Sequence, residues 1–420
     1  MPSIVTKGVR PRFESVLNKV LSAWTVGESG GLTSSEWGIT FYEDALSQLL
    51  IREGSGLSEV EFKSCVTGAA RDLAKAGQSG SDAFDKAYSE RRAAILALDC
   101  HRYFGLTRCA FYVDGHHWIP INFLGFRASI CTEPPPGLDL SEFFISGYGR
   151  VYPARPRNGL YVLVGPVSSR SKSGALEIVS DELITLLGFI AAWIDYGRLS
   201  HRIGRVGPIT EIRPGESVIL FDEKSARIEE EISYFTEPTK EAKWLAGNAK
   251  INLLGACEAA SKLGPFDRPR ERYLRTAFRL YHDAVTATHP DEQITKFWKL
   301  AEFATFSSGG SVDKIARRLS LTWRDSDLIY AISFAAGQRR NIIAHHSGDG
   351  VSSAEIVEYF RYVLGIFIAS AMSSGVTSLR SWRSILEVGS SGFDLEVMQD
   401  AVSVLRKFSQ SHGAPEDDEG

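Results

Sequence analysis

Apolar residues recur at helical spacing over most of the second half of the chain, and at alternating or continuous spacing over a shorter middle section. From about residue 240 the pattern predicts helices over 240–262, 270–287, 293–307, 311–320, 326–346, 352–374 and 394–409. Gly309-Gly310 and Ser347-Gly348-Asp349-Gly350 read as turns. In the helix that begins near Ser326, the residues Leu328, Ile329, Ile332, Ala335, Ala336 and Ile343 form the expected buried stripe. The first hundred residues also read as helical. Phe41–Ile51, Leu57–Ala76 and Asp82 to about Cys100 are separated by the breaks Gly54-Ser55-Gly56 and Gln78-Ser79-Gly80-Ser81.

Between them the period changes. Cys109–Val113, Trp118–Asn122, Phe126–Cys131 and Gly159–Val164 read as strands, with Asp114-Gly115 placed to turn a hairpin between the first two. A second hairpin is expected from Ile209–Ile212 and Ser217–Phe221 around Arg213-Pro214-Gly215-Glu216. Asp181–Arg198 is a strongly apolar helix suited to packing on the sheet. Its most hydrophobic part, Leu183–Ile194, is too short to span a bilayer. Glu229-Glu230-Glu231 and Glu237-Pro238-Thr239 read as a linker. The expected organisation is an α+β sensing or regulatory domain over 1–225, a linker over 226–244, an all-α helical bundle over 245–410 and a disordered acidic tail over 411–420.

At 420 residues the chain is long enough for two cores. Hydrophobic residues make up 44% and charged residues 23%, and the net charge is −4, which weighs against bulk electrostatic capture of nucleic acid. The five cysteines are scattered and form no C-x-x-C pair, which suits a reducing cytoplasm and gives no zinc signature. No signal segment or membrane span is expected. No phosphate-binding glycine loop, nucleophile elbow or metalloprotease motif occurs where it would count, so neither metal nor cofactor is expected. His116-His117 lacks further ligands at metal spacing and reads as a turn-exposed pair.

The chemistry-bearing stretch is Arg340-Asn341-Ile342-Ile343-Ala344-His345, at the end of an otherwise apolar helix. Asn341 and His345 are four apart and share a face; Arg340 and His345 are five apart and diverge by about 140° on one helix. Two such helices across a two-fold axis bring the groups to one phosphate, so a composite site at a homodimer interface is expected. A plain structural reading stands beside it. His345 and Arg340 at a helix C-terminus interact favourably with its dipole, worth roughly 0.3–1 kcal/mol each.

Arg-Asn-x-x-x-His resembles the signature of the HEPN superfamily. The preceding Ala277-Phe278-Arg279-Leu280-Tyr281, Phe297-Trp298-Lys299-Leu300-Ala301-Glu302 and Lys314-Ile315-Ala316-Arg317-Arg318-Leu319 look like successive helices of its Apea-like branch. The resemblance covers roughly 245–375. It implies a metal-independent endoribonuclease of prokaryotic antiphage defence or toxin type, cutting RNA to a 2′,3′-cyclic phosphate. Its partners would be an RNA substrate, a second copy through the motif-bearing helix, and a phage or nucleic-acid trigger or an antitoxin. A non-catalytic HEPN dimerisation or ligand-binding scaffold is the alternative.

Arg340, Asn341 and His345 are then the catalytic candidates. RNA supplies its own 2′-hydroxyl nucleophile, an imidazole can move the proton at neutral pH, and a guanidinium forks onto phosphate. Supporting candidates are Glu302, to orient His345, pair with Arg340 or make a structural ion pair, and Arg339 and His346, to bind phosphate or face solvent. His345-His346 leaves two choices for the working imidazole where the family's motif often has His-Gly. Arg272, Arg275 and Arg279 form one stripe that either tracks an RNA backbone or is a solvated helix face. Phe297 and Trp298 are read as core rather than base-stacking groups.

Overall fold

The computed structural model describes residues 5, 9–27, 31–34, 39–50, 55–112, 118–138, 159–196, 212, 217–224, 228–233, 243–244, 248–263, 266–322, 326–345 and 350–390. It is a mixed α+β structure with strands in the first part of the chain and helices in the last.

The chain opens with helices α1 (Arg10–Ala23), α2 (Ile39–Gln48), α3 (Glu59–Ala76) and α4 (Ser81–Leu96), and a two-stranded ribbon, β1 (Trp24–Val26) with β2 (Leu32–Ser34). They close a core of their own around Phe13, Leu17, Phe62, Val66, Phe84 and Tyr88. The start of α3 is fixed by a reciprocal capping box of Ser58 and Glu61, and its end by Gly77 in the left-handed region at φ 61°.

A second, larger core begins at β3 (His101–Tyr112), the strand on which the main sheet is built. The others are β4 (Trp118–Phe123), β5 (Phe126–Cys131), β6 (Gly159–Ser169), β7 (Ser217–Asp222), β8 (Ile228–Ser233) and β9 (Lys243–Trp244). The order is β4-β5-β6-β3-β7-β8, antiparallel throughout, with β9 added in parallel at the far end of β3. Alternation sorts the side chains. Val162, Val164, Ile130, Ile121, Val218 and Leu220 face the helices, whereas Phe104, Leu106, Leu163 and Phe221 lie on the other side.

β3 and β4, expected to pair as a hairpin, are not neighbours among the described residues, and Asp114-Gly115 lies outside them; the tight hairpin is β4–β5, turning at Leu124 and Gly125 with φ of 44° and 79°. Positive φ at both turn positions gives the twist that two paired strands need. The strand expected at 209–212 lies outside the described residues except for Ile212, which is buried and in no strand; β7 pairs with β3 on one edge and β8 on the other.

Helix α5 (Lys172–Tyr196) lies on the inner face of the sheet, and α6 (Asn248–Ser261), α7 (Arg268–Thr286) and α11 (Gly350–Ser373) cover its other side. A helix buried all round must be apolar all round, as Leu183, Leu186, Leu187, Phe189 and Ile190 are. Against α7 pack α8 (Pro290–Ala304) and α12 (Leu379–Gly389), and α9 (Val312–Ser320) and α10 (Ser326–His345) pack on α8 and on each other. The expected helix at 394–409 lies outside the described residues. α12 falls outside the pattern read from sequence.

The expected division at 226–244 therefore changes. Two strands of the sheet, β8 and β9, occupy that segment, and one continuous core runs from Tyr103 on β3 to Leu386 on α12. At its centre Gly188 of α5 meets α7 so closely that a Cβ would lie 2.1 Å from the Phe278 carbonyl oxygen. The boundary between cores falls near residue 100 instead, bridged by hydrogen bonds from Ser171 to Glu61 and from the first amides of α3 to the Glu177 carboxylate.

One stretch of described helix, Ala354–Ser373, is long and apolar enough to cross a membrane, with a mean hydropathy of 1.3. Phe360, Val363, Leu364 and Phe367 bury it in the core, and it carries the buried pair Arg361–Glu358 at 2.8 Å.

Candidate functional site

The motif helix α10 packs on α8, α9 and α11 through Ile329, Ser333, Ala336 and Gly337. Gly337 allows the close approach. A Cβ there would lie 2.5 Å from a Val312 methyl and 2.7 Å from the Trp298 ring. Leu328 and Ala335, expected in the buried stripe, are exposed instead. With Ala331, Gln338 and Ile342 they form an outward face at three- and four-residue spacing. Leu328 is 53% exposed, Ile342 47%, and Tyr359 on the adjoining α11 50%.

Arg340 and Asn341 lie in the last turns of α10, both half-buried. The Arg340 Nη1 donates to Asn341 Oδ1 at 3.1 Å, so the carboxamide orients the guanidinium. His345 is the last residue of α10; its side chain and all of His346 lie outside the described structure.

Among the described side chains Glu302 makes no pair with Arg340. Its Oε1 accepts from the Trp298 indole N–H, four residues earlier on α8, at 3.0 Å. The pairing follows from the i, i+4 geometry of one helix and was available from spacing alone. Arg339 turns inward, with its Nη2 3.6 Å from Asp291 Oδ1 at the start of α8. Asp291 was not singled out from sequence, because nothing in the spacing links it to residue 339.

The arginine stripe of α7 is dispersed among different tasks. Arg275 donates from Nε and Nη2 to the Leu124 carbonyl at the β4–β5 turn, the first at 2.9 Å; it stacks on Phe126 at 5.0 Å and sits 3.8 Å from Glu182. Arg279 pairs with Asp181 at 2.7 Å. These two fasten α7 to the sheet and to α5, so the row expected either to track RNA or to face solvent is partly engaged within the fold, while Arg272 is exposed.

Burial raises Glu182 to about 7, partly offset by Arg275. His282, buried between α5 and α7, is lowered to about 4 by desolvation, against a hydrogen bond with the Ile212 backbone. Phe297 and Trp298 are core, as expected. Among the described residues no group of histidine, cysteine and acidic side chains has metal-binding geometry. His116 and His117 lie outside them.

No protein-family profile, curated protein or solved structure matches the chain.

Proposed function

We propose that this chain is a metal-independent endoribonuclease of HEPN type that works as a homodimer, with the α10 helices of two copies forming one composite site. The observation that carries the reading is the end of α10. An arginine oriented by its neighbouring asparagine and a terminal histidine follow an outward face on which Ile342 is about half exposed. A copy packed on that face would bury Ile342 and bring the ends of the two α10 helices together, so that each copy contributes its motif to one shared groove.

In the proposed reaction one imidazole takes the 2′-hydroxyl proton and the oxygen attacks the adjacent phosphorus. The 5′-oxygen bond breaks and the leaving oxygen receives a proton from an imidazolium. Arg340 balances the charge that builds on the phosphoryl oxygens, and Asn341 holds it in place. The products are a 2′,3′-cyclic phosphate and a 5′-hydroxyl end. A role in antiphage defence or in a toxin system, under control of a trigger or an antitoxin, belongs to the same proposal.

The test is cleavage of RNA by the purified full chain in EDTA, with product ends analysed and the mass in solution measured. Cutting by a dimer, abolished in His345→Ala, is the expected outcome. RNA left intact by the dimer would favour the scaffold alternative. Undiminished cutting by His345→Ala would overturn the assignment of roles.

A further inference from the structure

We propose that the face of the main sheet turned away from α5 carries a binding site for a small planar anion of the mononucleotide class, an aromatic ring bearing a phosphate. The face is concave there, with an open hollow of about 480 Å³. That lies within the range of small-molecule sites, which is roughly 300–1,000 Å³.

Strand alternation determines what lines it. On β4, Trp118, Pro120 and Asn122 point to this side. On β5, Arg127 and Ser129 join them. From the sheet centre come Arg102 and Phe104 of β3, Phe221 of β7, and Glu223 just beyond it.

Two properties favour a flat ring. Phe104 and Phe221 are directly opposed across β3 and β7, and their rings stack with centroids 5.6 Å apart at 17°. Trp118, on an edge strand, is 51% exposed yet lies on the cavity wall. An exposed indole among the lining residues offers a second π-surface beside the Phe104–Phe221 pair.

Two more properties favour an anion. Arg102 is matched by Glu223, its Nε 3.0 Å from the carboxylate. Arg127 is exposed and makes no ion pair among the described residues. The lining thus keeps one positive charge in excess, from a side chain whose fork suits phosphate. Asn122, opposite Arg127 across the β4–β5 pair, and Ser129 supply donors and acceptors for the edge of the ring. A cavity with few polar groups among apolar walls suits a small ligand better than a protein partner, which needs a broad surface.

The experiment is calorimetric titration of the full chain with the four ribonucleoside 5′-monophosphates, with the parent nucleosides and inorganic phosphate as fragments, and with a short RNA oligonucleotide. Arg127→Ala and Trp118→Ala are compared in parallel; both side chains are exposed, and thermal melting verifies that the variants fold. At least one monophosphate should bind one-to-one, each of its fragments about tenfold or more weaker. Either substitution should weaken it by about tenfold, the loss expected for one charge-assisted contact or one stacking wall. Four failures would each overturn the proposal: no monophosphate binding at millimolar concentration, binding unaltered in both variants, a nucleoside or phosphate alone binding as tightly, or an RNA oligonucleotide binding the same face a hundredfold more tightly. Cleavage of RNA is not part of the readout, so this site stands or falls separately from α10.

Discussion

Helices α7 and α10 each present arginines that the sequence marks as candidates for phosphate, and the fold treats them differently. On α7 the guanidiniums of Arg275 and Arg279 are engaged by groups 151 and 98 residues away, the Leu124 carbonyl and Asp181. On α10, Arg340 is engaged by its own neighbour, Asn341. Spacing along a helix tells which side chains share a face, but not what the rest of the chain lays against that face. A local partner leaves an arginine's outer N–H groups to a ligand. A distant partner converts the arginine into a fastening.

The largest expected effect separates the two. Arg340→Ala should lower RNA cleavage by about 10²–10³, the cost of one lost charge-stabilising donor, with little change in unfolding free energy. Arg275→Ala should lower unfolding free energy by about 2–4 kcal/mol in urea titration, since it strips the turn carbonyl of its donor and leaves the buried Glu182 without its cation. If Arg275→Ala abolished cleavage at unchanged stability, the comparison would be reversed.

Next come the glycines that let each helix dock. Gly188→Ala should cost about 1–3 kcal/mol, because the new methyl meets the Phe278 backbone, which cannot move without α7. Gly337→Ala should cost less, since its obstacles are the Val312 and Trp298 side chains. Equal melting temperatures for the two variants would contradict this ranking.

A smaller effect is expected in the pH dependence of stability at the α5–α7 seam. His282 falls from 6.5 to about 4 on folding, so its contribution is present above 6.5 and is lost as pH falls toward 4. Glu182 rises from 4.5 to about 7, so its neutral form favours the fold at low pH, and that contribution is lost as pH rises from 4.5 through 7. Between 4.5 and 6.5 the two slopes oppose each other. Glu182→Gln should unmask the histidine, giving stability that declines steadily on acidification over this window in urea titrations at successive pH values. A flat profile in that variant would remove His282 from the account. The smallest effect belongs to Arg272→Ala, expected to shift unfolding free energy by less than about 0.5 kcal/mol.

Local signals were readable in the sequence, and pairings were not. The helices after residue 245 are marked by their period and by caps such as Asp267 before α7 and Ser311 before α9, whose side chains accept from Arg270 and Lys314 amides. The buried stripe of α10 was read one position too wide, since alanine and leucine fit an outward face as well as a core. β8 was taken for a linker because Glu229, Glu230 and Glu231 look like a solvated run. It is one of the two edge strands of the sheet among the described residues. The β3–β4 hairpin was inferred from adjacency in sequence, whereas β3 is paired with strands that arrive some fifty and more than a hundred residues later. Of the candidate site, the pairing of Arg340 with Asn341 is a nearest-neighbour relation, while the Asp291 partner of Arg339 depends on how α8 is laid against α10.

The contact of Gly188 with Phe278 has an evolutionary consequence. Modules that merely follow one another can be shuffled onto new companions, but the sheet and the helices here were laid down around a single interior. Moving this helical bundle onto a different sheet would require α5 and a glycine at its crossing point to move with it.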